Sequence, residues 1–255
     1  MVKSLVWIDV GTHAGQELMS IQASDFSFYR KVMRHEAKAL IKRARSYSWA
    51  DLGELARCRH WLRNHRSAMQ VVLVEANPKL IGLPVYQTAD RVVCAALGGR
   101  DDPTLSLGRL YLTGDDACGQ GSSIYQAKAN VRDTRYLNCL VLNPLSLAQE
   151  LRSSLDAAGS EYSVILRLNC EGSEDEVIYA FHEIFGAQLV HVFGSLKDVA
   201  GVKGPAAHTA LTEFMDANGL PFTFFSSAFS SWLDSLRALR AIMSGGQHDA
   251  PSVPG

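Results

Sequence analysis

Ile8-Asp9-Val10-Gly11-Thr12-His13-Ala14-Gly15-Gln16-Glu17 is the stretch on which the reading of this chain turns. The residues before it, Ser4 to Val10, are almost all apolar, with little alternation, which suits a strand buried on both faces of a parallel sheet. A strand that ends in Asp9 and opens through Gly11 and Gly15 into a helix has the general form of a nucleotide-binding βα turn. Its glycines let a ligand approach the backbone. The dinucleotide version needs G-x-G-x-x-G to seat a pyrophosphate on the helix N-terminus. Here the spacing is Gly11-x-x-x-Gly15, and Glu17 stands where that anion would lie. A carboxylate there disfavours a pyrophosphate and suits a cationic ligand.

Further along the chain, Val71 to Val74 reads as a second strand ending in Glu75-Ala76-Asn77-Pro78, and Arg91 to Leu97 as a third ending in Gly98-Gly99. Glu75 is an acceptor-only side chain suited to two ribose hydroxyls, and Asn77-Pro78 shapes the turn. Leu105 to Leu112 is extended, Gly114 to Gly121 is a polar loop, and Tyr136 to Leu142 is apolar enough for another strand. Alternating β and α resumes with strand Ser163 to Leu168, helix Ser173 to Phe185 and strand Gln188 to Phe193. Helix Pro205 to Asn218, a short strand Pro221 to Phe225 and helix Trp232 to Met243 follow. Between strand and helix, Asn169, Glu171 and Glu174 gather at the sheet edge that binds ligands in open α/β folds. Ser173 is expected to cap the helix, and Glu174 and Asp175 to complement its dipole.

Between the first two strands lie about sixty residues, where a βαβ crossover takes about thirty, so an insertion is expected. Residues 25–66 contain Phe28, Val32, Leu52, Leu55, Trp61 and Leu62 among many helix formers and read as helical. They hold eleven of the 25 basic residues against four acidic ones, a local charge of +7 in a chain of net charge -1. That asymmetry suits an anionic acceptor or an acidic partner, or a solvated helix face, and Arg43 is the representative substrate contact. The overall charge argues against bulk attraction to nucleic acid. No apolar run reaches the length of a membrane span, and the five scattered cysteines show no metal spacing. A cytoplasmic location is expected, and no spacing demands a metal, although carboxylates near the transfer site leave metal use open. Residues 1–243 read as one catalytic domain containing the insertion, and residues 244–255 as a disordered tail.

Four segments taken together resemble the FkbM-type methyltransferases: Asp9-Val10-Gly11-Thr12-His13-Ala14-Gly15; Glu75-Ala76-Asn77-Pro78; Gly121-Ser122-Ser123-Ile124; and Arg167-Leu168-Asn169-Cys170-Glu171-Gly172-Ser173-Glu174. Their order is that of the family, and the resemblance runs from about Leu5 to Phe193. It implies a Rossmann-like class I methyltransferase fold, an α/β architecture with a mostly parallel, doubly wound sheet, and here a helical insertion after the first strand. It also implies S-adenosylmethionine as cofactor and O-methylation of a hydroxyl on a sugar, glycan or related natural product.

The cofactor residues expected on this basis are Asp9, Gly11, Thr12, His13, Gly15, Glu17, Glu75, Ala76, Asn77, Ala96 and Asn169. The expected substrate contacts are Ser122, Ser123, Glu174, His191 and Arg43. The candidates for the proton are Glu171 first, then His13 and His191, with Asn169 beside them as a hydrogen-bonding catalytic residue, because methyl transfer needs alignment and removal of one proton. Two positions depart from the family pattern: Arg167 stands for its Lys and Asn169 for its Asp. They keep open a second class of function, a cofactor-binding scaffold with weak or no catalysis. The absence of the three-glycine fingerprint and of a Tyr-x-x-x-Lys pair argues against a nicotinamide oxidoreductase. The sequence is compatible with a homo-oligomer.

Overall fold

A computed structural model describes residues 4–41, 47–99, 105–113, 120–132, 134–226 and 231–245. Arg43, residues 246–255 of the expected tail, and most of the 114–121 loop lie outside the described residues. Two compact units are formed, one within Met1–Ala14 and Ala68–Phe222, the other within Gly15–Ser67 and Thr223–Gly255.

The first unit is built on β1 (Ser4–Val10), β2 (Met69–Val74), β3 (Arg91–Val93), β7 (Tyr162–Leu168) and β8 (Leu189–Gly194), and runs to Phe222, where β9 (Phe222–Phe224) begins. The sheet order is β3-β2-β1-β7-β8-β9. The pairs β1–β2, β2–β3, β1–β7 and β7–β8 are all parallel. This is an α/β unit with the parallel central sheet of a Rossmann-like fold. Period-2 alternation divides the strands between two faces. Val6, Ile8 and Val10 of β1 and Val164, Leu166 and Leu168 of β7 join one core cluster with the helices, and Leu5, Trp7 and Ile165 are buried on the other face.

The helices of this unit are α4 (Pro144–Ala157), α5 (Glu174–Phe185), α6 (Lys197–Lys203) and α7 (Pro205–Ala217). The sequence reading has no counterpart for α4 or α6. α4 nonetheless carries its own start signal. The Asn143 side chain accepts from Leu145 N at 2.8 Å, Pro144 occupies the first turn, and Leu147, Leu151 and Leu155 recur every four residues on the buried face.

The expected third strand is corrected. β3 ends at Val93, and Ala96–Leu97 (β4) joins a second sheet of order β4-β6-β5, with β5 at Leu105–Tyr111 and β6 at Tyr136–Leu142. β4 runs parallel to β6, whereas β5 and β6 are antiparallel.

The second unit contains the expected helical insertion, as α2 (Asp25–Ile41) and α3 (Trp49–Asn64), together with α1 (Gln16–Gln22) and α8 (Trp232–Met243). Ser48 and Asp51 start α3 with a reciprocal capping box. Arg59 is buried at its centre, where Nε donates to Ser20 O at 2.8 Å, the guanidinium pairs with Asp25 and meets Ala23 O, and its plane lies 4.3 Å from the Phe28 ring. Phe28 stacks on Trp232 at 5.7 Å, and Glu54 receives Arg237 through two bonds of 2.8 Å. Part of the basic charge that the sequence assigns to an anionic partner is therefore spent on holding helices together. Among the described residues, no helix is long and apolar enough to cross a membrane.

Candidate functional site

In this sheet the chain runs outward from β1 through β2 to β3, and later resumes on the other side of β1 with β7. Such a switch point leaves a crevice at the carboxyl ends of the two strands. A cleft opens there. Its floor is the β1 turn (Val10, Gly11, His13) against the β7 turn (Asn169, Cys170, Glu171). One side is Glu75, Ala76 and Asn77 after β2, and the apolar wall includes Leu80, Ala96, Leu97, Leu110 and Ile124.

The two turns touch. Gly11 has φ +73°, and a Cβ there would stand 2.2 Å from the carbonyl oxygen of Asn169, so only glycine fits. His13 and Glu171 also adopt left-handed backbone conformations, with φ 49° and 61°. These are the only non-glycine residues with positive φ among the described residues, and both line the cleft. Strain of this kind persists only where the surroundings over-determine it, and it clusters at functional sites.

Hydrogen bonds hold each strained turn. Glu75 Oε2 accepts from His13 N at 2.7 Å, Glu75 Oε1 from Asn77 N at 2.8 Å, and His13 O accepts from Tyr86 Oη at 2.7 Å. Burial pushes the Glu75 carboxyl above its ordinary range, and the two amides work against that rise. At Glu171, the backbone N–H groups of Glu171 and Gly172 donate to the Glu174 carboxylate at 2.7 and 2.8 Å. Ser123 Oγ donates to Glu171 O at 2.7 Å. Burial raises the Glu171 carboxyl as well, against the pull of Lys128, whose ammonium pairs with it.

Of the residues expected from sequence, the cleft brings together Gly11, His13, Glu75, Ala76, Asn77, Ala96, Ser122, Asn169 and Glu171. The others have different positions. Asp9 is fully buried, with Oδ1 accepting from Arg167 Nη1 at 3.0 Å, and Arg167 also donates to Gly11 O at 3.1 Å. Asp9 thus braces the turn from below rather than lining the cleft, and Arg167, paired with it in the β1–β7 register, is its partner. Thr12 is buried and donates to Asp9 O at 2.9 Å. Ser123 and Glu174 are ties of the β7–α5 turn and do not line the cleft. It is Glu174, and not the side chain of Ser173, that satisfies the turn's amides.

His191 does not reach the cleft. It is buried in mid-β8, opposite Ile165, with its ring 4.4 Å from that of Phe193. Gly15 and Glu17 belong to the second unit, where Gly15 forms the left-handed N-cap of α1 and Glu17 is buried in its first turn and attracts Lys31. Neither lines the cleft. Arg43 lies outside the described residues.

Lys128 and Tyr86 are the supporting residues that no motif marks. Among the described residues that line the cleft, the ionisable side chains are His13, Glu75, Cys170 and Glu171, and none is Lys or Arg. Such a lining offers hydrogen-bond acceptors to hydroxyl and ammonium groups and nothing to neutralise a phosphate. Comparisons with known protein families, with curated proteins and with solved structures find no match.

Proposed function

We propose that this chain is an S-adenosylmethionine-dependent methyltransferase that acts on a hydroxyl group of a sugar, glycan or related natural product. The observation that carries the reading is the meeting, in one crevice, of Gly11, Glu75 with Asn77, Ser122 and Asn169 with Glu171. They come from four separate segments of sequence. The fit to the cofactor rests on the charge of the lining: acidic side chains with no Lys or Arg among the described residues suit a sulfonium and an α-amino group better than a pyrophosphate.

Bound there, S-adenosylmethionine supplies an electrophilic methyl group. Glu75 accepts backbone amides through both oxygens, and its remaining lone-pair capacity is turned to the ribose hydroxyls. The Gly11 turn gives close backbone approach, and Leu80, Leu97 and Ile124 form an apolar wall for a flat ring. Asn169 orients by hydrogen bonding and carries no charge. Glu171, on the cleft floor, takes the acceptor's hydroxyl proton. The same lining favours a neutral hydroxylated acceptor over the anionic one suggested by the basic insertion.

Asn169, a neutral amide where the resembling family has a carboxylate, favours a second reading, a cofactor-binding scaffold without turnover. Titration calorimetry with S-adenosylmethionine and S-adenosylhomocysteine tests both, with NAD as the control. Binding of the first two and not of NAD is expected, and absence of binding removes both readings. Transfer of a tritiated methyl group to a panel of neutral sugars and other hydroxylated compounds then separates enzyme from scaffold.

A further inference from the structure

Lys128 lies in the loop between β5 and β6 with its side chain only 7% exposed, and its Nζ faces oxygens from three segments. Gly121 O of its own loop accepts at 2.8 Å, the Glu171 carboxylate pairs with it across the β7–α5 turn, and Asp198 Oδ1 of α6 lies at 4.0 Å. The charge of Asp198 works against ionisation of the Glu171 carboxyl. One buried cation therefore stands against two carboxylates, and one of these belongs to the strained residue on the cleft floor. A lysine needed only to fasten a loop would keep its ammonium in water, because burying it costs several kcal/mol unless it is fully paired.

We infer that Lys128 is a positioning residue for proton transfer. Held against Lys128, the Glu171 carboxylate is fixed in orientation and kept ionised, ready to receive the acceptor's proton. This rests on the reading of Glu171 as proton acceptor. In that step the acceptor's O–H bond breaks, the proton passes to Glu171, and the electron pair remains on the acceptor oxygen. Among the described residues, four ionisable groups act on Glu171: Lys128 from the loop, Asp198 from α6, Glu174 from α5, and Cys170 in its own turn. Lys128 alone favours the charged carboxylate. Asp198 and Glu174 oppose it, and Cys170 would do so only as a thiolate, a form that burial holds back.

The pairing gives a signature that a fastening role does not. Lys128→Met removes the attraction and Asp198→Asn removes a repulsion, so the two displace Glu171 in opposite directions. In full-length protein carrying carboxyl-labelled glutamate, with Glu171→Gln to assign the signal, the Glu171 titration midpoint rises by about one pH unit in Lys128→Met and falls by a similar amount in Asp198→Asn. Lys128→Arg, which keeps the charge, stays close to the unaltered chain. Midpoints that do not move, or that move the same way, overturn the proposal, and Asp198→Asn tests it even if Lys128→Met fails to fold.

In methyl transfer from tritiated S-adenosylmethionine to neutral sugars, Lys128→Met lowers kcat at neutral pH about tenfold or more. Lys128→Arg restores most of that loss, and affinity for S-adenosylhomocysteine is unchanged throughout. Unaltered kcat in Lys128→Met overturns the positioning role. Lack of transfer by the unaltered chain overturns the transferase reading instead, and the midpoints then still decide whether Lys128 governs Glu171.

Discussion

Replacing Asp9 by Asn removes one partner of an ion pair whose side chains are 0% and 2% exposed, with 3.0 Å between Asp9 Oδ1 and Arg167 Nη1. Two unit charges with centres about 4 Å apart attract by about 4 kcal/mol at an effective dielectric of 20. Loss of one partner from a buried pair costs about 3–5 kcal/mol, because the other charge stays buried and uncompensated. For a chain of this length each kcal/mol is worth roughly 2–4 °C in Tm, so Asp9→Asn is expected to lower Tm by about 6–20 °C in thermal unfolding followed by circular dichroism. Arg167→Met should do much the same. The double variant Asp9→Leu/Arg167→Met, with both charges gone, should lose far less than the sum, a coupling of about 2 kcal/mol or more. Affinity for S-adenosylhomocysteine should fall in the single variants only as far as the Gly11 turn loosens. If Asp9→Asn keeps its Tm within about 2 °C while ligand affinity collapses, Asp9 contacts the ligand directly and the brace is refuted.

Glu75→Ala removes the acceptors of His13 N and Asn77 N as well as those offered to hydroxyls, and should weaken S-adenosylhomocysteine binding by about tenfold or more in calorimetry. Glu171→Gln should leave that affinity within about twofold and lower kcat by about a hundredfold; unchanged turnover removes it as base. Glu174 is fully buried, and burial raises its pKa from the ordinary 4.5 to about 7. A carboxyl raised in this way binds its proton more tightly in the folded state, so stability falls as pH climbs from about 4.5 to about 7, by about 3 kcal/mol. Urea unfolding across that range should show the decline in the unaltered chain and a flatter profile in Glu174→Gln. Gly11→Ala should abolish ligand binding, since its methyl group would overlap the backbone of Asn169.

The buried strands β1, β7 and β8 are legible because unbroken apolar runs ending in polar residues have few other uses. Position within a motif is legible as well, and it brings Gly11, Glu75, Asn77, Asn169 and Glu171 to one crevice. What sequence does not carry is the direction of a side chain. Asp9, Ser123 and Glu174 sit within matched motifs, yet each turns inward to hold backbone rather than outward to a ligand. His191 is expected to contact substrate, yet its ring is buried in mid-β8.

The run Arg91 to Leu97 hides a change of sheet, because an apolar stretch has no period that marks where β3 stops and β4 begins. α4 could have been found from Asn143-Pro144 and the four-residue recurrence of Leu147, Leu151 and Leu155. Lys128 could not, since its partners lie 43 and 70 positions away, in segments that only the folded sheet edge brings together.

The helical unit gathers chain from both sides of the sheet-bearing segment, so its order of assembly differs from its order of synthesis. Phe28 has its ring partner at Trp232, and Glu54 its cation at Arg237, about two hundred residues later. On a translating ribosome α1 to α3 emerge first and wait, their apolar faces open, until α8 is made. Closing so long a loop is slow, and during that interval the early helices are open to chaperones and proteases. Shortening the chain before Trp232 would make the wait permanent, so limited proteolysis should cut first within 25–66, at the other end of the sequence from the deletion.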